Sequence, residues 1–449
     1  MNDLPHFWRP IYILPFLSIP FILCATVSES DQALYDNIPL LTATESSAAH
    51  PLSFSPILTW EKKVDATHYE IEFFRQVPAA CYPDIPSKEA VWRSDEIYAN
   101  NYNPPLFLFA ADLLGRAPLY WRVRALDFDD TPVSLFSTLI PLYTSPAIVP
   151  SVMTVPLPIV SSELTAPLLY PVYHWVRPYS AHAFEVALYR ENPIENPSAE
   201  PLDQMTTNSS ELYDPSPRIT EGFFYWRVRS LDETGTPMSD WSPAIKFCND
   251  PREKWEIAIL GDSISHGGGH ISYGPADYEF SWLSYLDFPA INLSMSGDTS
   301  ETMLERFDDD VLPFRPRYLL IMNGTNSLRA GVRASEVIEN FKEIKELCLA
   351  NDIRPIFLTL PPINPDNIAR TFNEPTADDW QEQFTLVNDF LRTQVHIDVA
   401  AYFADNALLP TMMGLDGLHE DVQGKQRIAK AVNEAWPQVK TKADQMLEK

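Results

Sequence analysis

An octapeptide, Tyr120-Trp-Arg-Val-Arg-Ala-Leu-Asp127, returns almost unchanged as Tyr225-Trp-Arg-Val-Arg-Ser-Leu-Asp232. The middle of the chain is therefore expected to fold as two copies of one unit. Both copies run on to a Thr-Pro pair, Thr131-Pro132 and Thr236-Pro237, and then to a Ser-rich edge. Upstream, Trp60 and the stretch 68–74 correspond to Trp175 and the stretch 183–189. The period-two alternation in Tyr69-Glu-Ile-Glu-Phe73 and Trp121-Arg-Val-Arg-Ala125 predicts half-buried strands. A single Trp on an early strand, facing an aromatic-rich later strand, is how small β-sandwiches fill their core. Each unit has on the order of 100 residues, the size of such a domain. The boundaries are set at 45–148 and 149–249.

After a short polar hinge, Asn249-Asp-Pro-Arg-Glu253, strands and helices alternate. Strands are predicted at 255–260, 290–293, 318–322, 355–360 and 396–401, and helices at 300–311, 334–350, 377–392 and 422–436. The strands are short apolar runs, as a parallel sheet covered on both faces requires. This order predicts a three-layer α/β/α domain over 254–449. A chain of 449 residues needs several cores.

Residues 1–28 differ from the rest. Arg9 precedes an uncharged apolar run, 11–27, broken by Pro15 and Pro20. It is short for a membrane span and is expected to be a signal peptide, with an uncleaved N-terminal anchor as the alternative. Cys24 is a lipidation candidate, although Leu23 before it is bulky for that signal. Either way the protein is expected to be extracytoplasmic, secreted or associated with the envelope. The net charge of −28, from 61 acidic and 33 basic residues, repels phosphate backbones and excludes nucleic acid as a partner. The four cysteines Cys24, Cys81, Cys248 and Cys348 form no CxxC pair, so no zinc site is written. A Cys81–Cys248 bridge is left open, and Cys348 reads as a buried apolar group.

The chemistry-bearing residues stand at strand ends. An apolar run from Ile257 stops at Gly261-Asp-Ser263, and the plain alternative is a turn in which Asp262 or Ser263 caps the next helix. The run from Ile291 reaches Ser296-Gly297-Asp-Thr, where Gly297 leaves its N–H unobstructed. The run 318–322 ends in Gly324-Thr-Asn326, and the Asn326 amide is a fixed donor. Late in the chain, Asp416-Gly-Leu-His419 places a carboxylate three residues from an imidazole, expected on one face of a helical turn. Ser265 is a rival nucleophile, and Asp398 and Asp405 are rival orienters. His266 and His270 flank Gly267-Gly-Gly269, a run without the Lys of a phosphate loop. Asp308-Asp-Asp310 reads as a solvated face.

These blocks, Gly261-Asp-Ser263, Ser296-Gly297, Gly324-Thr-Asn326 and Asp416-Gly-Leu-His419, occur in the order found in SGNH (GDSL-type) hydrolases. The chain resembles that family over roughly residues 254–440. The resemblance implies a flavodoxin-like sheet and serine-dependent ester hydrolysis without a metal or other cofactor. It also implies that Ser263 is the nucleophile, His419 the base and Asp416 its orienter, with Ser263, Gly297 and Asn326 as oxyanion donors. One departure is Ser327, where the family often has an Asp that supports the loop. The Trp60, Trp175 and Tyr-Trp-Arg-Val-Arg strands resemble immunoglobulin-like fibronectin type III modules, which implies spacers that hold the enzyme off the envelope.

The sequence thus predicts two all-β sandwiches followed by an esterase domain. Its substrates are expected to be acyl esters, with O-acetyl groups on polysaccharide favoured by the modular, exported layout. Lysophospholipids or general acyl esters are the alternative. A surface binding protein with an inactive hydrolase domain is the reading of another class.

Overall fold

The computed structural model describes residues 29–42, 46–63, 65–148, 155–159, 167–269 and 272–447. The leader or anchor expected at 1–28, with Cys24, lies outside them. No helix among the described residues is long and apolar enough to cross a membrane.

Both copies of the repeat pair a three-stranded sheet with a four-stranded one. In the first, Leu41–Thr42, Leu58–Trp60 and Asn101–Tyr102 lie against Trp92–Ile97, His68–Phe74, Leu119–Leu126 and Ile140–Leu142. Trp60 and Trp121 pack together at the centre of that core. In the second, Leu157–Pro158, Val172–Val176 and Glu211–Tyr213 lie against Asp203–Thr207, Ala183–Tyr189, Phe224–Leu231 and Ile245–Phe247. There Trp175 packs on Phe184, and Trp226 on Tyr173.

The repeated Asp and Ser residues explain themselves locally. Asp127 Oδ1 accepts from the N–H of Asp129 and Thr131, and Asp232 Oδ1 does the same for Thr234 and Thr236. Ser137 Oγ accepts from Val123 N–H and Ser242 Oγ from Val228 N–H, so hydroxyls satisfy strand donors where no regular strand pairs. The alternation expected for half-buried strands fails in both Tyr69–Phe73 and Trp121–Ala125, which are buried on both faces, and is seen only in the second copy, in Phe224–Leu231. The reason is electrostatic. Glu72 and Glu70 pair with Arg122 and Arg124 of the neighbouring strand. The segment 82–85 then crosses over them, its carbonyls accepting from both guanidinium groups.

The third domain holds five parallel strands in the order Ile291–Asn292, Ile257–Gly261, Tyr318–Met322, Arg354–Leu358 and His396–Ile397. Numbered along the chain this is 2-1-3-4-5, a flavodoxin-like order whose ligands bind at the carboxyl ends near the reversal. The helix predicted at 300–311 is two pieces, Ser300–Glu305 and Phe307–Asp310, because Arg306 turns out of register to ion-pair with Asp298 and Asp310. The last helix runs past its expected end to Asp444 through Pro437. Its apolar stripe continues with buried Val439 and Ala443, and that packing offsets the roughly 3 kcal/mol a helix-interior proline costs. Two helices, Thr325–Arg329 and Pro365–Phe372, have no counterpart in the sequence reading.

Both sandwiches pack on the third domain. Segment 167–169 lies along its edge strand, with Leu169 N–H bonded to Asn292 O (2.9 Å) and Asn292 N–H to Pro167 O (3.0 Å). The first sandwich reaches the loop after 271: Lys62 pairs with Asp277 and Glu279, Ser272 donates to Thr67 O, and the Tyr69 and Tyr273 hydroxyls meet.

Arg122 is buried between Glu72 and the ring of Phe136. Its removal leaves the buried Glu72 carboxylate with Arg93 as its remaining guanidinium partner and takes the donors from the carbonyls of Tyr82 and Ile85. Arg122→Ala is expected to destabilise the first sandwich by about 1–3 kcal/mol, read as a lower denaturant midpoint of its unfolding transition.

Candidate active site

Gly261 ends the first strand under tight constraint, because a Cβ there would collide with Met322 O. Asp262 follows as the cap of the short helix Ser263–His266, its Oδ1 accepting from Ile264 N–H at 3.0 Å. The plain capping alternative is therefore real, and it coexists with a chemical role for its neighbour. Ser263 is half-buried and opens into a pocket. The turn behind it is tied down from three sides. Buried Lys425 donates to Ile264 O, Asn292 Nδ2 donates to Ser265 O and His266 O, and Trp282 Nε1 donates to Ser265 Oγ. Ser265 is fully buried, which removes it as the rival nucleophile.

From the other end of the domain comes the segment 416–419. His419 Nε2 lies 2.8 Å from Ser263 Oγ, and His419 Nδ1 lies 2.8 Å from Asp416 Oδ2. The expected helical turn is absent. Asp416 instead holds a non-helical turn, its Oδ1 accepting from Leu418 N–H at 2.8 Å and His419 N–H at 2.7 Å. Gly417 makes that turn with φ of +81°, where a side chain would collide with Asn364 O. Burial alone would raise the Asp416 carboxyl, but the charge of His419 and the bonds from His419 and Leu418 hold it below its ordinary value. It stays ionised, as an orienter must. Asp398 bonds Thr359 and Arg392 and Asp405 is exposed, so neither rival reaches the ring.

Ser263, Gly297, Asn326 and His419 line one pocket of about 280 Å³. Gly297 has φ of +89° and open space where a Cβ would stand. Its N–H and that of Ser263 bond to nothing among the described residues. Asn326 Nδ2 donates to Asp298 O at 3.0 Å, while its Oδ1 accepts from Arg329 Nε, which fixes the amide plane and leaves one N–H over. Ser327 ties the neighbouring helices, its Oγ accepting from Ser300 N–H at 2.9 Å.

Other expectations change. His266 is buried. Its ring bonds Ser296 Oγ and Tyr170 O, and burial lowers its pKa to about 4. His270 lies outside the described residues. Asp308 and Asp309 are exposed as expected, but Asp310 is buried between Tyr170 and Arg306. Cys81 and Cys248 are both free thiols, so the bridge left open does not form.

Sequence reasoning missed two walls of the pocket. Tyr213 reaches in from the second sandwich, and Phe372 sets its edge on the His419 ring. Tyr213 lies on a short strand of another domain, so no spacing pointed to it. Asp262 was read only as a cap, yet burial lifts its carboxyl to about 7.

The model of the GDSL-like Lipase/Acylhydrolase family matches residues 259–427. Thioesterase 1/protease 1/lysophospholipase L1 of Escherichia coli strain K12 is 26% identical over 176 residues, 38% of this chain and 79% of that protein. An uncharacterized lipoprotein of Bacillus subtilis strain 168 is 29% identical over 122 residues, 24% of this chain and 49% of its own. Among solved structures, a GDSL-like lipase from Bacteroides thetaiotaomicron covers 42% of this chain and 90% of its own, at 19% identity and a TM-score of 0.33. The C-terminal region is a GDSL-like hydrolase domain, and the chain is an ester-cleaving enzyme.

The raised pKa of Asp262 has a direct consequence. The folded state holds its proton up to about pH 7, whereas the unfolded chain releases it near pH 4. Its contribution is complete at low pH and is lost as pH rises toward 7. Asp262→Asn keeps the cap acceptor without the buried charge. It is expected to raise Tm most at pH 8, by less at pH 5, and to leave it unchanged near pH 3, measured by thermal unfolding.

Proposed function

We propose that the enzyme hydrolyses short acyl esters through Ser263, His419 and Asp416. The observation that carries this reading is the row of bonds from the Ser263 hydroxyl through the His419 ring to the Asp416 carboxylate, each 2.8 Å. Ser263 Oγ attacks the ester carbonyl carbon as His419 Nε2 takes its proton. The carbonyl oxygen becomes an oxyanion facing Ser263 N–H, Gly297 N–H and Asn326 Nδ2. Asp416 stabilises the imidazolium and holds the tautomer that presents Nε2 to the serine. His419 then gives the proton to the departing alcohol as the carbon–oxygen bond breaks. Water, deprotonated by the same ring, attacks the acyl-enzyme and restores Ser263.

The small pocket, walled by Tyr213, Phe372 and Leu418, supports a short acyl group. O-acetyl groups on an extracytoplasmic polysaccharide are the proposed natural substrate, supported by the uncharged apolar run 11–27 and by the two sandwiches. In this reading the sandwiches are fibronectin III-like modules, each with the three-plus-four sheet arrangement. A second reading takes longer acyl chains, favoured by the lysophospholipase in the name of the E. coli relative. An inactive domain is disfavoured, since decay would spare neither the bonded row nor the unbonded Gly297 N–H.

Ser263→Ala is expected to abolish hydrolysis of p-nitrophenyl acetate by a folded protein, and retained turnover removes Ser263 from its role. Asn326→Ala is expected to lower kcat by ~10²-fold with a smaller change in KM. A p-nitrophenyl ester series from acetate to palmitate separates the two substrate readings.

A further inference from the structure

A second cavity, of about 790 Å³, lies where the two sandwiches meet, and it is far larger than the pocket at Ser263. One wall is the strand from Trp92 and the turn after it in the first sandwich. The other wall is His174, Tyr179 and Glu211 of the second. Ser272 of the hydrolase domain also lines it.

The lining is chemically specific. Tyr98 and Tyr179 are 54% and 47% exposed, and Trp92 meets Tyr179 edge to face at 5.9 Å. The Trp92 ring is fixed by its Nε1 donating to Tyr102 Oη. Flat rings held beside hydrogen-bonding groups offer apolar faces without closing the cleft to polar ligands. His174 and Glu211 are cross-strand partners, and among the described residues nothing hydrogen-bonds the ring of one or the carboxyl of the other. Burial, helped by Asp277, lifts the Glu211 carboxyl to about 7, and burial lowers the His174 ring. Neither group carries a full charge at neutral pH. The two guanidinium groups in the lining are already engaged, Arg93 by Glu70 and Glu72, and Arg177 by the carbonyls of Asn208, Ala181 and His182. Glu96 adds an exposed carboxylate at the rim. Among the described residues the cleft thus offers aromatic faces, hydroxyls, amides and two unpartnered hydrogen-bonding groups. Its one guanidinium without a carboxylate partner, Arg177, has its donors spent on carbonyls. An anionic chain finds little counter-charge there and meets the net charge of −28.

This cleft neighbours the candidate active site. Glu211 and Tyr213 share one face of their strand while Leu212 between them is buried in the sandwich core. Two residues along a strand span about 7 Å. Glu211 lines the cleft and Tyr213 lines the Ser263 pocket. Gly274 packs beneath both, since a Cβ there would collide with Glu211 Oε2 and stand 3.2 Å from Tyr213 Oη. Ser272 and Tyr273 repeat the relation, one on the cleft and the next on the pocket.

We propose that the cleft between the sandwiches binds a neutral oligosaccharide chain and that Tyr213 marks its passage to Ser263. This deepens the esterase reading: delivery of an ester-bearing unit rests on that reading, whereas binding in the cleft does not.

The test uses the full chain with Ser263→Ala, titrated by calorimetry with the hexasaccharides of xylose, glucose (β-1,4), mannose and N-acetylglucosamine, and with hexagalacturonate. At least one neutral hexasaccharide is expected to bind, and hexagalacturonate is not. Tyr98→Ala and Tyr179→Ala, each made separately in exposed residues, are expected to weaken that binding about tenfold, a loss of about 1.4 kcal/mol. On the Ser263 background the same two variants keep wild-type hydrolysis of p-nitrophenyl acetate. No binding by any neutral hexasaccharide, equal binding by both Tyr variants, or preference for hexagalacturonate overturns the proposal. Binding without any hydrolysis of p-nitrophenyl acetate by the Ser263 enzyme sinks the esterase reading and leaves the cleft standing.

Discussion

The turn at 416–419 is the constraint on which the site depends. One carboxylate does three things there. Asp416 accepts two backbone N–H bonds that shape the turn, and its second oxygen fixes the His419 ring. The shape of the loop and the aim of the base are therefore one property. A helix would have placed the two side chains on a common face but spent the backbone donors on carbonyls. The turn spends them on the carboxylate, which lowers its pKa and keeps it charged in a buried place. Gly417 is required because the chain doubles back against the Asn364 carbonyl.

Much of this was legible in the sequence because short-range chemistry wrote it. The strand ends carrying Ser263, Gly297 and Asn326 stand out as apolar runs stopping at small or amide residues, and a 2-1-3-4-5 sheet gathers those ends. The repeat was legible for the same reason, since Asp127 and Asp232 each build their own turn. What the sequence hid came from contacts between distant segments. His68–Phe74 looked half-exposed because nothing local shows that 82–85 will cross it. His266 looked like a loop residue because its partner, Tyr170 O, belongs to another domain. Pro437 looked like a stop, and burial of Val439 and Ala443 overrode it.

The three domains share polar groups as well as surface. Tyr170 donates to Asp310, Asp310 pairs with Arg306, and Arg306 pairs with Asp298, whose carbonyl takes the Asn326 amide. A chain of charge-assisted bonds thus runs from the start of the second sandwich to the side chain at the edge of the Ser263 pocket. Such buried pairs add little net stability over apolar packing, but they leave few alternative arrangements. The first sandwich is anchored nearby through Lys62 and Tyr69.

Segment 167–169 occupies the hydrogen-bonding margin of the parallel sheet at Asn292. An open margin of that kind recruits other chains, and natural sheets shield it with whatever covering they have. Here the shield is borrowed from the neighbouring module. A hydrolase domain cut free at the hinge after Asn249 would bare two backbone groups and the apolar flank held by Leu169 and Tyr170, and so become sticky. The two modules are therefore inseparable partners in solubility, and recombination that trades one must carry the other with it.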